Sequence, residues 1–326
     1  MTEAERELQR EAIGEAPLVR RLAAEFVGTL LFVAVGTGAA TVLTLGPLKR
    51  LDRLSDLLAG APGNDRIFGE LLGSTLGDTL GVALAFATAL AVLVYALGGV
   101  SGAHFNPAVT LALAVARRFR WNEVPLYVVV QCAGAIGGAF IVAGIYGQDG
   151  AALGDQDLLF GATVVASGVS QWQAILAEAF IAFMLVTAIM AVAVDPRAPK
   201  GWSGLIIGLA LAAGILVTAQ ATGGSANFAR SLGPFVASLV YDVGDIPWGD
   251  LIVYAAGPII GGAAAALVYE SVTGLEGVSP APRPGAATPP GAARGAAGAV
   301  EHAEPTPGLA PTRDDEQTES PPPPGL

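Results

Sequence analysis

Two related motifs carry the polar side chains that could act on a solute within an otherwise apolar chain. Asn106 begins the sequence Asn-Pro-Ala-Val, and Asn227 begins Asn-Phe-Ala-Arg, each after a Gly/Ser-rich approach. Asn is a strong N-cap and Pro107 suits the first helical position, so the first motif predicts a helix start. If the Asn oxygens are occupied locally, their amide N–H groups remain to donate to water or a hydroxyl group. The chemistry predicted is hydrogen bonding to a neutral solute.

The helix that follows Asn106 is too short to cross a bilayer. Its apolar run reaches from Pro107 to Ala116, and basic residues from Arg117 onward end it. About ten helical residues give about 15 Å, half of a hydrocarbon core of about 30 Å. Two such half-helices would meet near the midplane, each with roughly half a positive charge at its start. A monovalent cation about 4 Å away would experience roughly 4 kcal/mol of repulsion at an effective dielectric near 20.

Composition indicates a membrane protein and excludes several functional classes. Hydrophobic residues make up 53% of the 326 residues, and charged residues only 14%, which a soluble domain would find hard to keep in solution. The net charge of −11 argues against a nucleic-acid partner. One Cys, Cys132, and two His residues leave no disulfide framework, metal cluster or Ser-His-acid set. We therefore expect no enzyme activity, no metal and no cofactor.

Six full membrane spans follow from the apolar runs and their flanking residues. The fold class predicted is an all-α membrane protein with six transmembrane helices and two half-spanning helices. All four Trp residues lie beside predicted span ends, as membrane interfaces favour. The predicted spans are Leu22–Leu45, Thr75–Leu97, Val124–Tyr146, Ala174–Val194, Trp202–Ala221 and Asp250–Tyr269.

The chain also repeats itself at the scale of half a molecule. The motif around Glu25 in the first span returns around Glu178 in the fourth. Each half then contains three spans and one half-spanning helix, and an odd number of spans inserts the second half upside down. The sequence therefore predicts an inverted repeat. Two glycine pairs with the spacing of close helix packing are matched across it, Gly134 with Gly257 and Gly138 with Gly261.

Basic residues predict the orientation of the spans. If the spans alternate, three basic groups lie on one side, which is then cytoplasmic together with both termini. These groups are Arg20 with Arg21, the Arg117–Arg120 cluster, and Arg197 with Lys200. Lys49, Arg50, Arg53 and Arg66 break this pattern, because they lie among acids in the loop that would face outward.

Three regions are predicted along the chain. Residues 1–19 form a cytoplasmic N-terminal segment, and residues 20–271 form the membrane domain. Within it, residues 46–73 form an extended outer loop, either with a short surface helix or as a solvated insertion. Residues 272–326 are rich in Pro, Ala and Gly, a composition that predicts a disordered tail, with recruitment of a proline-reading partner as the alternative.

These motifs resemble the signatures of the major intrinsic protein family, the aquaporins and aquaglyceroporins, over about residues 20–271. The resemblance implies a passive channel in the plasma membrane for water and small uncharged solutes that excludes ions and protons. It also implies a homotetramer with one pore per protomer. The stretches that carry it are residues 101–110 (SGAHFNPAVT), 24–29 (AEFVGT), 131–135 (QCAGA) and 229–234 (ARSLGP).

The resemblance also implies an outer constriction formed by Arg230, Phe86, Ile215 and Gly224. Water-selective members usually have His where this chain has Ile215, and Gly224 adds almost no bulk. Glycerol facilitators tend to have an acidic residue where Ser231 stands. The constriction residues together with Ser231 are more similar to those of the family branch that passes metalloid acids. We therefore expect water to pass together with solutes such as glycerol, boric acid or arsenous acid.

Phe228 is the clearest departure from the family, which nearly always has Pro at this position. Its motif neighbour Ala229 and the equivalent Ala108 match the family pattern. Two positions for the Phe228 ring remain open. It packs on Pro107 and keeps the half-helices in contact, or it leans toward the lumen and narrows it.

Glu25 and Glu178 allow two interpretations. Intramembrane carboxylates in an inverted repeat could couple protons to a solute, which would make the protein a secondary transporter. Alternatively, each carboxylate accepts hydrogen bonds from backbone N–H groups of the loop before a half-helix, where water cannot serve. The symmetric placement favours this scaffold role. His104 and Gln131 are expected to support the same loop, with a cytoplasmic pH sensor as the alternative for His104.

Overall fold

The computed structural model describes residues 16–57, 75–153 and 156–275. The N-terminal segment before residue 16, residues 58–74 of the outer loop and the tail from residue 276 lie outside the described residues. The described helices are α1 Leu18–Leu57, α2 Thr75–Ser101, α3 Pro107–Val115, α4 Val124–Ala151, α5 Gln171–Ile189, α6 Ser203–Thr222, α7 Phe228–Ser238 and α8 Leu251–Thr273. A π-helical turn, Met190–Val194, extends α5. The strands β1 (Ala152–Leu153) and β2 (Gln156–Asp157) form a small antiparallel hairpin.

Six helices in the described part of the chain are long and apolar enough to cross a membrane. They coincide with the six predicted spans, which confirms the predicted fold class. α1 is the exception in length, because it does not end at Leu45 but continues to Leu57. Pro47 lies inside this helix, so residues 46–57 are helical but continue α1 and do not form a separate surface helix.

The two half-spanning helices α3 and α7 have 9 and 11 residues. Their lengths of roughly 14 and 17 Å cover about half of the hydrocarbon core. α3 ends where the chain turns at Ala116, one residue before the basic cluster. Both helices are therefore as short as the sequence predicts.

The two halves pack with the same pattern. α1 packs against α4, and its counterpart α5 packs against α8, while α2 and α6 join the halves to each other. Each half-helix packs across the boundary between the halves, α3 against α8 and α7 against α4. The inverted repeat therefore encloses its two half-helices within a ring of six spans.

Glycine permits the close approach of α4 to α1 and of α8 to α5. A methyl group on Gly134 would lie 2.4 Å from the carbonyl oxygen of Phe26, and one on Gly261 would lie 1.9 Å from that of Ala179. Since α1 and α5 correspond through Glu25 and Glu178, Phe26 is the counterpart of Ala179. Gly134 is therefore the counterpart of Gly261.

The predicted matching of Gly134 with Gly257 was wrong by one helical turn. The spacing of four residues recurs at each turn of a helix, so it does not by itself fix the register of a repeat. Gly257 also lies close to α5, since a methyl group there would be 2.6 Å from Cβ of Glu178. The structural contacts, rather than the spacing, identify the equivalent residues.

We expect Gly261→Ala to destabilise the helix bundle. The added methyl would meet backbone that cannot move without separating α5 from α8, and overpacking of this kind costs about 1–3 kcal/mol. Gly144→Ala is the matched control, because nothing lies within 4 Å of the methyl position at Gly144 in α4. Thermal unfolding in detergent measures both variants. Equal midpoints for the two variants would contradict the predicted close packing.

Candidate functional site

The two Asn residues cap the half-helices as their sequence motifs predict. Both have extended backbone geometry at the N-cap position. The Asn106 side-chain oxygen accepts from the N–H of Ala108 at 2.8 Å. The Asn227 oxygen accepts from the N–H of Ala229 at 3.0 Å and from that of Arg230 at 3.3 Å. Each amide oxygen is thus occupied by its own helix.

The two Asn amides also join the halves to each other. Asn106 Nδ2 donates to the carbonyl of Ala226 at 2.8 Å, and Asn227 Nδ2 donates to the carbonyl of Phe105 at 2.9 Å. These are equivalent bonds in opposite directions, since each acceptor precedes the other half's Asn. An amide carries two N–H groups, so each Asn retains a second one beyond this bond. Both residues line a shared cavity that Leu113 and Ala193 also line, called the inner cavity after the predicted orientation.

The loop in front of α3 is held by Glu25. Its Oε1 accepts from Ser101 Oγ at 2.6 Å and from the N–H of His104 at 3.0 Å. Its Oε2 accepts from the N–H of Phe105 at 2.7 Å and from Gln131 Nε2 at 2.8 Å. Glu25 is fully buried. The predicted hydrogen bonds to loop backbone are confirmed.

Glu178 holds the loop in front of α7 in the same way. It accepts from Thr222 Oγ1 at 2.6 Å, from the N–H of Ser225 at 3.0 Å and from that of Ala226 at 2.7 Å. Glu178 is also fully buried. Both carboxylates therefore serve loop N–H groups that have no access to water in the bilayer core.

These carboxylates stabilise an unusual backbone conformation. Phe105 and Ala226, the residues before the two Asn caps, have φ values of 49° and 53°. Residues other than glycine rarely adopt this left-handed region. The conformation turns the carbonyls of Phe105 and Ala226 toward the opposite Asn amide, where they accept the bonds that join the halves.

Sequence reasoning missed a symmetric pair of tyrosines behind the loops. Tyr127 OH donates to the carbonyl of Ser101 at 2.9 Å, and Tyr254 OH donates to the carbonyl of Thr222 at 2.7 Å. Both side chains are fully buried. Each Tyr lies seven residues before the glycine of its half that approaches the first span, Gly134 or Gly261. The repeat would have found the pair if its register had been correct.

His104 and Gln131 contact the polar groups behind α3. Thr110 Oγ1 donates to the carbonyl of Asn106 at 3.0 Å. His104 Nδ1 forms a hydrogen bond with Thr110 Oγ1 across 3.1 Å. Gln131 Nε2 donates to the same oxygen at 3.0 Å. The His104 ring also packs against the ring of Tyr127 and lines the inner cavity.

The predicted outer constriction is assembled in two contacts. The guanidinium carbon of Arg230 lies 4.8 Å from the ring centre of Phe86, an arrangement that favours the cation. A methyl group on Gly224 would lie 3.1 Å from Cα of Ile215. Arg230 is buried, and among the described residues its Nη1 has no hydrogen-bond partner. It therefore has donor capacity to offer to a solute.

Two cavities adjoin these groups. The cavity that Arg230 and Ile215 line, called the outer cavity after the predicted orientation, has a volume of about 220 Å³. The inner cavity has a volume of about 50 Å³, and both Asn residues line it among mostly apolar side chains. Phe228 is half-buried and is not among the residues that line either cavity of the described chain. This arrangement does not support a Phe228 ring in the lumen.

Comparison with protein families matches residues 12–269 to the family described as Major intrinsic protein. The chain belongs to this family. It is 39% identical over 256 residues to Aquaporin AqpM of Methanothermobacter marburgensis, which covers 78% of this chain and 98% of that protein. It is 33% identical over 258 residues to Aquaporin NIP3-1 of Zea mays, covering 79% and 72%.

The fold is shared with a solved structure. The aquaglyceroporin from Plasmodium falciparum matches with a TM-score of 0.59 and 21% identity, covering 81% of this chain and all of that chain. As a member of the major intrinsic protein family, the protein is a passive channel for water and small solutes and not an enzyme. None of the comparisons favours the proton-coupled transporter that the two carboxylates allowed as an alternative.

We expect Glu178→Gln to destabilise the loop in front of α7. An amide offers one acceptor oxygen in place of two, so a buried N–H of Ser225 or Ala226 loses its partner. Such a loss costs about 1–3 kcal/mol. Asp149→Asn is the control, because it changes a carboxylate to an amide in an exposed ion pair with Lys49. Thermal unfolding and water flux in proteoliposomes test the expectation. An unfolding midpoint and a water flux equal to those of the wild type in Glu178→Gln would refute it.

Proposed function

We propose that this channel conducts water together with small uncharged hydroxylated solutes, such as glycerol, boric acid or arsenous acid. The observation that carries the proposal is the composition of the outer constriction. In the described part of the chain, Nη1 of Arg230 has no hydrogen-bond partner. The apolar side chain of Ile215 lines the same cavity as Arg230 and lies close to Gly224. A solute with hydroxyl groups on one side and little polarity on the other suits both side chains.

The size of the outer cavity supports solutes larger than water. A cavity of about 10–15 Å³, measured in the same way, is enough to hold one water molecule. The outer cavity of about 220 Å³ therefore has room for a solute of several non-hydrogen atoms. Arg230 supplies a charged polar group to its lining. The names of the similar proteins, aquaporins and an aquaglyceroporin, agree with conduction of water and of a polyol.

Ion exclusion is proposed to arise from positive charge at two levels. Arg230 carries a full charge in the outer constriction, and the starts of α3 and α7 each carry roughly half a charge near the Asn pair. Asn106 and Asn227 keep an N–H group each for the lumen, and a water molecule between two donors is oriented as an acceptor. That orientation interrupts a continuous chain of proton transfers.

The assembly and location are proposed on the family resemblance. We infer a homotetramer in the plasma membrane with one pore per protomer and with both termini in the cytoplasm. The basic residues Arg117, Arg120 and Lys200 are exposed, and the positive-inside rule assigns their side to the cytoplasm.

We expect Ile215→His to convert the channel toward water selectivity. An imidazole would add polar groups and restrict the aperture opposite Arg230, so glycerol and boric acid flux should fall about tenfold relative to water, about 1.4 kcal/mol in barrier. Stopped-flow light scattering on proteoliposomes measures each flux. Ile215→Val is the control because it keeps the wall apolar. A wild-type channel that passes water but neither glycerol nor boric acid would overturn the proposal.

We expect Arg230→Val to admit cations and protons. The change removes the full charge from the constriction while an apolar side chain fills the site. We expect a proton or sodium leak at least about tenfold above that of the wild type. Complete loss of a repulsion of about 4 kcal/mol would raise the leak about a thousandfold, which is the upper limit. Arg120→Val removes the same charge from an exposed cytoplasmic side chain and should leave the leak unchanged. A pH-sensitive dye inside the vesicles reports the leak, and equal leaks in both variants would count against Arg230.

A further inference from the structure

The outer connection between α4 and α5 contains a strained turn over the outer cavity. Leu159, Phe160 and Gly161 have consecutive left-handed φ values of 45°, 51° and 69°. Two of these residues carry side chains for which this region is unfavourable, and both side chains are buried. Strain of this kind persists only where surrounding contacts determine the conformation, and it often marks a functional segment.

Several contacts fix this turn against the spans. The ring of Phe160 packs edge-on against Tyr241 with centres 4.8 Å apart. A methyl group on Gly161 would lie 2.5 Å from the carbonyl of Thr37 in α1. Further along, the N–H of Val165 donates to Asp250 Oδ2 at 2.8 Å. The segment Gly161–Thr163 is thereby held as one wall of the outer cavity.

A chain of three hydroxyl groups leads from this wall to the Asn227 cap. Ser225 Oγ donates to the carbonyl of Asn227 at 2.9 Å. Ser231 Oγ forms hydrogen bonds of 2.7 Å with both Ser225 Oγ and Thr163 Oγ1, and Thr163 also forms a side-chain hydrogen bond with Tyr254. The three hydroxyl groups therefore form a continuous chain between the outer loop and the helix cap.

This hydroxyl chain runs beside the pore and connects its two levels. Thr163 lines the outer cavity, and Ser225 lines the inner one. Ser231 is fully buried and directly follows Arg230 on the first turn of α7. The position of the outer wall is therefore tied to the same helical turn that carries the filter arginine.

We propose that Thr163 is a specificity-determining positioning residue. Its hydroxyl group, acting through Ser231 and Ser225, holds the wall Gly161–Thr163, which follows the strained turn, at a fixed distance from Arg230 and so sets the aperture. The inference rests on the proposed function, because the aperture matters only if solutes larger than water compete for it. Without this hydroxyl, the wall relaxes outward and larger solutes pass more readily.

The test compares Thr163→Val with two matched variants. Valine keeps the shape of threonine without the hydroxyl, so the ratio of glycerol to water permeability should rise about three- to tenfold, the factor expected from one hydrogen bond. Thr163→Ser restores the donor and should restore the wild-type ratio. Thr44→Val is the control, because Thr44 lines the same cavity but its hydroxyl donates to the carbonyl of Ala40 within its own helix.

A second variant separates a positioning role from loss of stability. Ser231→Ala breaks the same chain, so it should raise the ratio by a similar factor, and the double variant Thr163→Val/Ser231→Ala should show no further rise. If Thr163→Val does not reach the membrane, the permeability ratio of Ser231→Ala tests the proposal. Additive effects, or a ratio unchanged in Thr163→Val and Ser231→Ala, would overturn the proposal.

The same measurements distinguish a failure of the proposed function from a failure of the positioning role of Thr163. A wild-type protein without glycerol flux contradicts the proposed function, yet a Thr163→Val variant that gains glycerol flux would still support the positioning role. Conversely, wild-type glycerol flux that Thr163→Val and Thr44→Val alter equally would leave the proposed function intact and reject the role of Thr163.

Discussion

The structure depends on the need to pair every backbone N–H and carbonyl group in the middle of a membrane. Two non-helical loops reach the midplane, and neither water nor lipid can satisfy their polar groups there. Glu25 and Glu178 accept the loop N–H groups, and the Asn amides donate to the loop carbonyls of the opposite half. The two half-helices are consequently held by the same bonds that expose their starts to the lumen.

This arrangement also changes the charge balance that the half-helices alone would give the pore. Two helix starts contribute roughly one positive charge, and Arg230 contributes another. The buried carboxylates Glu25 and Glu178 accept hydrogen bonds in every contact described for them, the pattern of an ionised acid. Their two negative charges offset the positive total, so the repulsion of about 4 kcal/mol is an upper limit. The positive groups face the lumen, and the carboxylates lie behind the loops.

The sequence was sufficient to predict six spans, two half-helices and the carboxylate bonds, because each has a local signal in apolar length, N-cap chemistry or symmetric placement. It was insufficient for features that depend on register or tertiary packing. The spacing of Gly134 and Gly138 recurs at every turn, so the repeat was aligned one turn out, and Tyr127 and Tyr254 were missed. The extension of α1 past Pro47 was missed because proline usually ends a helix.

The repeat also explains why, in the described part of the chain, the narrow region beside Arg230 carries a charged side chain and its counterpart in the other half does not. With Asn106 matched to Asn227, the counterpart of Arg230 is Val109, and the counterpart of Ile215 is Val94; both valines line the inner cavity. The inverted halves thus enclose two equivalent narrow regions, one apolar and one with a guanidinium. A second charged constriction would hold polar solutes at both levels and slow their passage, since conduction requires weak binding. Under the proposed function, selectivity is therefore concentrated at the cavity that Arg230 and the segment Gly161–Thr163 both line.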